Sequence, residues 1–301
     1  MYNGYYRVIK AASDWPEAKS MPPEGGQNGS VTIMRRIGRL MFCMTLCMAL
    51  VATTAGIFTC SMAETGAATA TTAKTTASKA VYMSGRLIGA SNEDGSIEFV
   101  PQGDAKLDWL ALSSYLSYDD DPVTVVIPSG SVIHLAAVLR VRSNKTIIAT
   151  GATIIQDNAK RQTIVNDCDG TGYDNVTNVK IKGGTWKNAH ASDIRSVILF
   201  SLGNNISIDG VTVYTNYQGH GISFVACKDA SLTNSKIISR VDSTKKRHTI
   251  EEAVQLDIAT PSSAPTIKEY AKGQCCKNIT VKNCTITGGR GLCTNWNRSK
   301  A

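Results

Sequence analysis

Asn205-Ile-Ser-Ile-Asp-Gly210 and Asn278-Ile-Thr-Val-Lys-Asn283 decide the fold. Two further copies, Asn178-Val-Lys-Ile-Lys-Gly183 and Ala230-Ser-Leu-Thr-Asn234, carry the same pattern. Each is a short β-branched strand that alternates apolar and polar residues and stops at Gly or Asn. The second apolar residue of each copy is Ile181, Ile208, Leu232 or Val281, at steps of 27, 24 and 49 residues. The last step is close to two turns of the others. Asn144-Lys-Thr-Ile-Ile-Ala-Thr-Gly151 reads as an earlier copy, with Ile148 in the core place, 33 residues before Ile181. A period in the twenties leaves no room for a helix in each unit, so the pattern predicts a stacked β solenoid. The stop residue must turn the chain sharply at positive φ, which Gly and Asn tolerate. Gly183, Gly210, Asn234 and Asn283 hold that place, and the next inward position is small: Val211, Ser235 and Cys284.

Upstream, Asp104 to Tyr118 places Leu107, Leu110, Ala111, Tyr115 and Leu116 at helical spacing, with Asp104 as the expected N-cap. After Asp119-Asp120-Asp121-Pro122, the run Val123 to Ile127 reads as a buried strand that Pro128-Ser-Gly130 ends. Residues 64–80 are Ala- and Thr-rich and read as a linker. Before it, Met34, Arg35, Arg36 and Arg39 precede an apolar run from Leu40 to Phe58, and Ser61 and Ala63 give a small-x-small cleavage pattern. Residues 34–63 therefore read as a signal peptide cut after Ala63, with a membrane anchor as the rival reading; either sends the domain outside, secreted or on the cell surface. Residues 1–33 are read as an extension preceding the true start, residues 81–301 as the solenoid domain, and the abrupt end as a C-terminal truncation.

Taken together, Val126-Ile-Pro-Ser-Gly130, Leu139-Arg-Val-Arg-Ser-Asn144, Gly151-Ala-Thr-Ile154 and the repeated strands resemble the pectate lyase superfamily. The resemblance covers residues 100–301. It implies an all-β fold, a right-handed parallel β-helix with a short N-terminal capping helix. It also implies a substrate groove on one outer face, and calcium as a cofactor if the chemistry is that of a lyase.

The chain carries +8 at pH 7 with a pI near 9.0, which suits an acidic polysaccharide as partner. No zinc-finger spacing, phosphate-binding loop or basic helix points to nucleic acid. Membrane contact is expected only through the signal peptide, and a monomer is expected. Six cysteines lie beyond the signal segment. Disulfides are open to them in an exported chain, but as small apolar residues they fit core positions better, and no Cys-x-x-Cys pair calls for a metal. The Asn-x-Ser/Thr sequences at Asn205, Asn278 and Asn283 follow from turn asparagines beside a Thr-rich face and need not accept glycans.

Candidate chemistry lies on the strand before each repeat. Aligning Ser196–Phe200, Gly219–Phe224, Glu251–Asp257 and Gly289–Thr294 brings Arg195, His220, Glu252 and Arg290 toward one sheet edge, with Ser223, Gln255 and Asp257 in a second outward row. His220, Glu252, Asp257 and Arg290 are the candidate catalytic set; Arg195, Ser223 and Gln255 are candidate substrate contacts. Gly219-His-Gly221 is similar to the Gly-His-Gly of polygalacturonases, but the acidic rungs that accompany it there are missing. A hydrolase would need two carboxylates from Glu251, Glu252 and Asp257; a lyase would need a base and a cation. A non-catalytic, glycan-binding surface solenoid is the reading from another class, and a fibre of the phage tailspike kind is disfavoured by the signal segment. The basic run Lys245-Lys-Arg-His248 reads as a solvated loop.

Overall fold

The structure is a computed structural model. It describes residues 79–159, 161–167, 172–190, 196–216, 219–240, 252–260, 263, 273–287 and 290–295. All of these belong to one compact unit of the two into which the chain divides; the other, residues 15–75, lies outside the described residues. So do the expected signal segment and linker up to residue 78, Arg195, Cys168, and the run Lys245–His248. Among the described residues no helix is long and apolar enough to cross a membrane.

The domain is a right-handed parallel β-helix. Among the described residues its strands form three sheets of nine, six and six. Each turn of chain visits the sheets in order: Val176–Lys182 in the first sheet, Thr185–Asn188 in the second, and Ile198–Ser201 in the third. The next turn, Gly203–Asp209, Thr212–Tyr214 and Ile222–Val225, pairs parallel and in register with it. The first sheet opens with two antiparallel strands, Lys79–Met83 and Arg86–Ser91, before its parallel run begins at Ile97–Phe99.

Alternation does the sorting. Along Val176–Lys182, Val179 and Ile181 are buried while Lys180 and Lys182 are exposed. Ile181 pairs with Ile208, Ile208 with Leu232, and Leu232 with Val281, so one aliphatic column runs through the core. The first three are fully buried, and Val281 is partly buried against the same core. The turn residues adopt the expected positive φ: 69° at Gly183, 66° at Gly210, 52° at Asn234 and 55° at Asn283. A second positive-φ column starts the strands, at Asn144, Asn178, Asn205, Asp229 and Asn278. Amides in these columns bond from rung to rung: Asn205 Nδ2 donates to Asn178 Oδ1 (2.8 Å), Asn278 Nδ2 to Asp229 Oδ1 (2.9 Å) and Asn283 Nδ2 to Asn234 Oδ1 (3.2 Å). The nitrogens that a glycan would need are thus engaged in the ladder. Cys284 packs against the core with its thiol donating to Leu232 O at 3.5 Å, as a filler does.

One register differs from the sequence reading. Ile181 pairs with Ile147, and Ile148 turns outward beside Lys182. The cause is Lys145, which takes the inward place that Val179 holds a turn later. Lys145 is fully buried, and its ammonium reaches Asp119 Oδ1 at 3.2 Å and the Asp121 carbonyl at 2.5 Å. Counting apolar residues from Asn144 therefore overshoots by one.

The helix Ala105–Leu116 covers one end of the solenoid, burying Ala111, Leu112, Tyr115 and Leu116 in the common core. Asp104 caps it, its carboxylate accepting from the Lys106 and Leu107 amides.

Candidate functional site

The third sheet joins the second at a corner where polar side chains stack. Ile222 pairs with Val254 and Val254 with Leu292. Two residues upstream of these, the same register aligns His220, Glu252 and Arg290 on successive rungs, about 4.8 Å apart. The side chains meet. His220 Nδ1 lies 3.2 Å from Glu252 Oε2 and 3.3 Å from the Glu252 carbonyl oxygen, and Arg290 Nη1 donates to Glu252 Oε1 at 2.5 Å. Counting back from the Ile198–Ile222 pair, the residue in line with His220 is Ser196. Arg195, expected in this row, precedes it and lies outside the described residues. Sequence alignment on Phe200 and Phe224 contains this answer; the eye passes over a serine because it carries no charge. Ser196 Oγ lies 2.9 Å from Ser223 Oγ, and either can donate.

Gly221 is what lets His220 stand at this corner. A Cβ there would meet the Ala253 carbonyl and Ile237 Cγ2, both at 2.7 Å. The Gly221 amide donates to the Ala253 carbonyl at 3.1 Å, locking adjacent rungs just inside the row.

The electrostatics separate the members. Burial pushes the His220 imidazole below its ordinary pKa, against the pull of Glu252. Both atoms facing Nδ1 are acceptors, so Nδ1 carries the proton of the neutral ring. That leaves Nε2 with the lone pair, and nothing among the described residues engages it. The His220 side chain is 30% exposed and Arg290 51%, against 12% for Glu252. Glu252 is therefore the held member, and the imidazole and guanidinium are the accessible ones.

The outward row along the third sheet runs Leu199, Ser223, Gln255, Cys293. Val165, Leu199 and Val225 form an apolar cluster with Val138 on this side. Ser223, Gln255 and Asp257, expected as open groove residues, are instead nearly buried. Gln255 Nε2 donates to Asp257 Oδ2 at 3.4 Å, while Gln255 Oε1 is buried without a partner. Burial pushes the Asp257 carboxyl above the ordinary carboxylate range; the negative charge of Glu252 adds to this, and the Ile258 amide opposes it.

Calcium does not suit this donor set. It needs six to eight oxygen ligands. Both Glu252 oxygens already face nitrogen groups, one of them a guanidinium cation. No three His, Cys, Asp or Glu side chains among the described residues gather as metal ligands.

No family model matches the chain, and no curated protein matches it. Among solved structures it is similar to PfbA, a surface adhesin of Streptococcus pneumoniae. That likeness has 16% identity and a TM-score of 0.46, over 59% of this chain and 46% of the adhesin. It is also similar to a protein described as a "putative glycosyl hydrolase" of Parabacteroides merdae. There the identity is 10% and the TM-score 0.38, over 65% of this chain and 96% of the other. The chain thus spans less than half the length of the adhesin. Likenesses this distant bear on neither substrate nor chemistry.

Proposed function

We propose that the domain is an exported carbohydrate-active β-helix that cleaves acidic polysaccharide by metal-independent β-elimination at the His220 row. One observation carries the reading: His220, with a side chain 30% exposed, is held through Nδ1 against Glu252, and the more exposed cation Arg290 pairs with the other oxygen of the same carboxylate. In a uronate chain the carboxylate acidifies the neighbouring C–H. Arg290 pairs with that carboxylate, and His220 Nε2 takes the proton. The electron pair released forms the C=C bond and expels the glycosidic oxygen. That oxygen takes its proton from solvent water, since Asp257 is nearly buried and lies opposite Val225, five residues along the strand from His220. Glu252 orients the base and balances the imidazolium that forms, without touching substrate. The resemblance to the pectate lyase superfamily supports the polymer class.

The test is product analysis with polygalacturonate and related uronate polymers. Elimination leaves an unsaturated sugar and consumes no water; hydrolysis adds one water per cut. Unsaturated ends formed by the parent and lost in His220→Ala support the reading, and saturated ends overturn it. One observation favours a second reading, a glycan-binding surface protein without turnover. The near-burial of Ser223, Gln255 and Asp257 leaves little open groove beside the row. Adsorption to the polymer with no new ends would select that reading.

A further inference from the structure

A second sheet presents a different array. On the outer face of the first sheet, register pairing aligns Thr124, Thr146, Lys180, Ser207, Ser231 and Thr280 in one column. Six rungs span about 24 Å, and each offers a hydroxyl or an ammonium with no acid in the column. Lysines flank it on both sides. Lys182 and Lys282 share the neighbouring column with Asp209 and Thr233. Lys228 and Lys277 stand directly opposite each other on adjacent rungs.

Of that pair, Lys277 is already engaged, its Nζ 5.3 Å from the centre of the Tyr173 ring. The acids nearby offset part of the charge, Asp209 standing opposite Lys182 and feeling its attraction. Asp209 is taken by Thr233 Oγ1 at 2.6 Å and Asn234 Nδ2 at 2.7 Å. Asp229 accepts from Asn278 and lies 3.6 Å from Lys228. Lys180, Lys182 and Lys282 are exposed and have no ion-pair partner among the described residues.

From this we infer that the outer face of the first sheet is a docking track for a linear polyuronate, separate from the His220 row. The lysines pair with carboxylates that repeat along the polymer, and the Ser/Thr column bonds sugar hydroxyls rung by rung. Charge complementarity selects an anionic chain, and the straight column selects an extended one. The polymer's identity rests on the uronate reading above; the track itself does not require that the His220 row turn over.

The experiment measures binding of the full chain to immobilised polygalacturonate at low and raised NaCl. It compares the parent with the variants Lys180→Gln/Lys182→Gln/Lys282→Gln and Lys180→Arg/Lys182→Arg/Lys282→Arg, and with His220→Ala. Removing three exposed charge contacts is expected to weaken binding about tenfold and to flatten its salt dependence. The arginine variant should bind as the parent does, and His220→Ala, which alters the other uronate site, should keep the parent's salt dependence because the lysines remain. Parent-like binding by the glutamine variant overturns the track, as does equal binding of neutral galactan by the parent. A parent that binds but yields no unsaturated ends would overturn the lyase reading and leave the track intact.

Discussion

Asn234 gives the sharpest test of the rung geometry, because two physical terms act on it in opposite directions. It sits at φ 52°, its side-chain Nδ2 donates to Asp209 Oδ1 at 2.7 Å, and its Oδ1 accepts from Asn283 Nδ2 at 3.2 Å. Replacing it with Gly removes both side-chain bonds, roughly 1 kcal/mol each before discounting for exposure. Gly also relieves about 1 kcal/mol of left-handed backbone strain, so Asn234→Gly should cost only about 0–1 kcal/mol. Asn234→Ala loses the same bonds and keeps the strain, for about 1–2 kcal/mol. Ala should therefore be worse than Gly by about 1 kcal/mol, the reverse of their order in a helix. Urea unfolding of both variants, with the slope checked against the parent, measures this. The pH dependence gives a second readout. The Thr233 and Asn234 hydrogen bonds hold the Asp209 carboxyl below its ordinary range. A depressed carboxylate stabilises the fold above its unfolded pKa and loses that contribution as pH falls. Both variants should show a weaker loss on acidification than the parent. If Ala equals or exceeds Gly in stability, the positive-φ bend does not set the rung geometry.

The remaining predictions concern core and site. Leu232→Ala, in the middle of the aliphatic column, should cost about 2–5 kcal/mol in urea unfolding with little change in slope. Activity on uronate polymer should rise with pH as the His220 base loses its proton, with a midpoint below the ordinary imidazole value of 6.5 because burial shifts it down; a midpoint at or above 6.5 would remove His220 from the base role. Chelation with EDTA should leave the rate unchanged, and a loss restored by calcium would show that the ion acts despite the donor set at Glu252.

Much of the fold was legible because solenoid rungs repeat one local rule. The column Ile181, Ile208, Leu232, Val281 and the bends at Gly183, Gly210, Asn234 and Asn283 all follow from alternation and left-handed backbone preference. The rule failed at Ile147 and Ile148, where a buried lysine replaces the first apolar residue and two isoleucines in a row leave the phase open. Only the acidic turn at Asp119–Asp121, distant in sequence, stabilises an ammonium there. The antiparallel pair Lys79–Met83 and Arg86–Ser91 carries no repeat, and its pairing was not foreseen. At the candidate site, His220, Glu252 and Arg290 were legible as a row because their strands share a pattern. Their hydrogen bonds were not, and neither was the near-burial of Ser223, Gln255 and Asp257, which depends on how the outer face packs.

The state of the His220 ring tests the account most directly. Long-range nitrogen–proton NMR of selectively labelled protein identifies which ring nitrogen carries the proton and follows its titration. The prediction is an Nδ1-protonated neutral tautomer that titrates below 6.5, and that changes its tautomer balance in Glu252→Gln. An Nε2-protonated ring, or titration at or above 6.5, would contradict the assignment of His220 as a base held by Glu252.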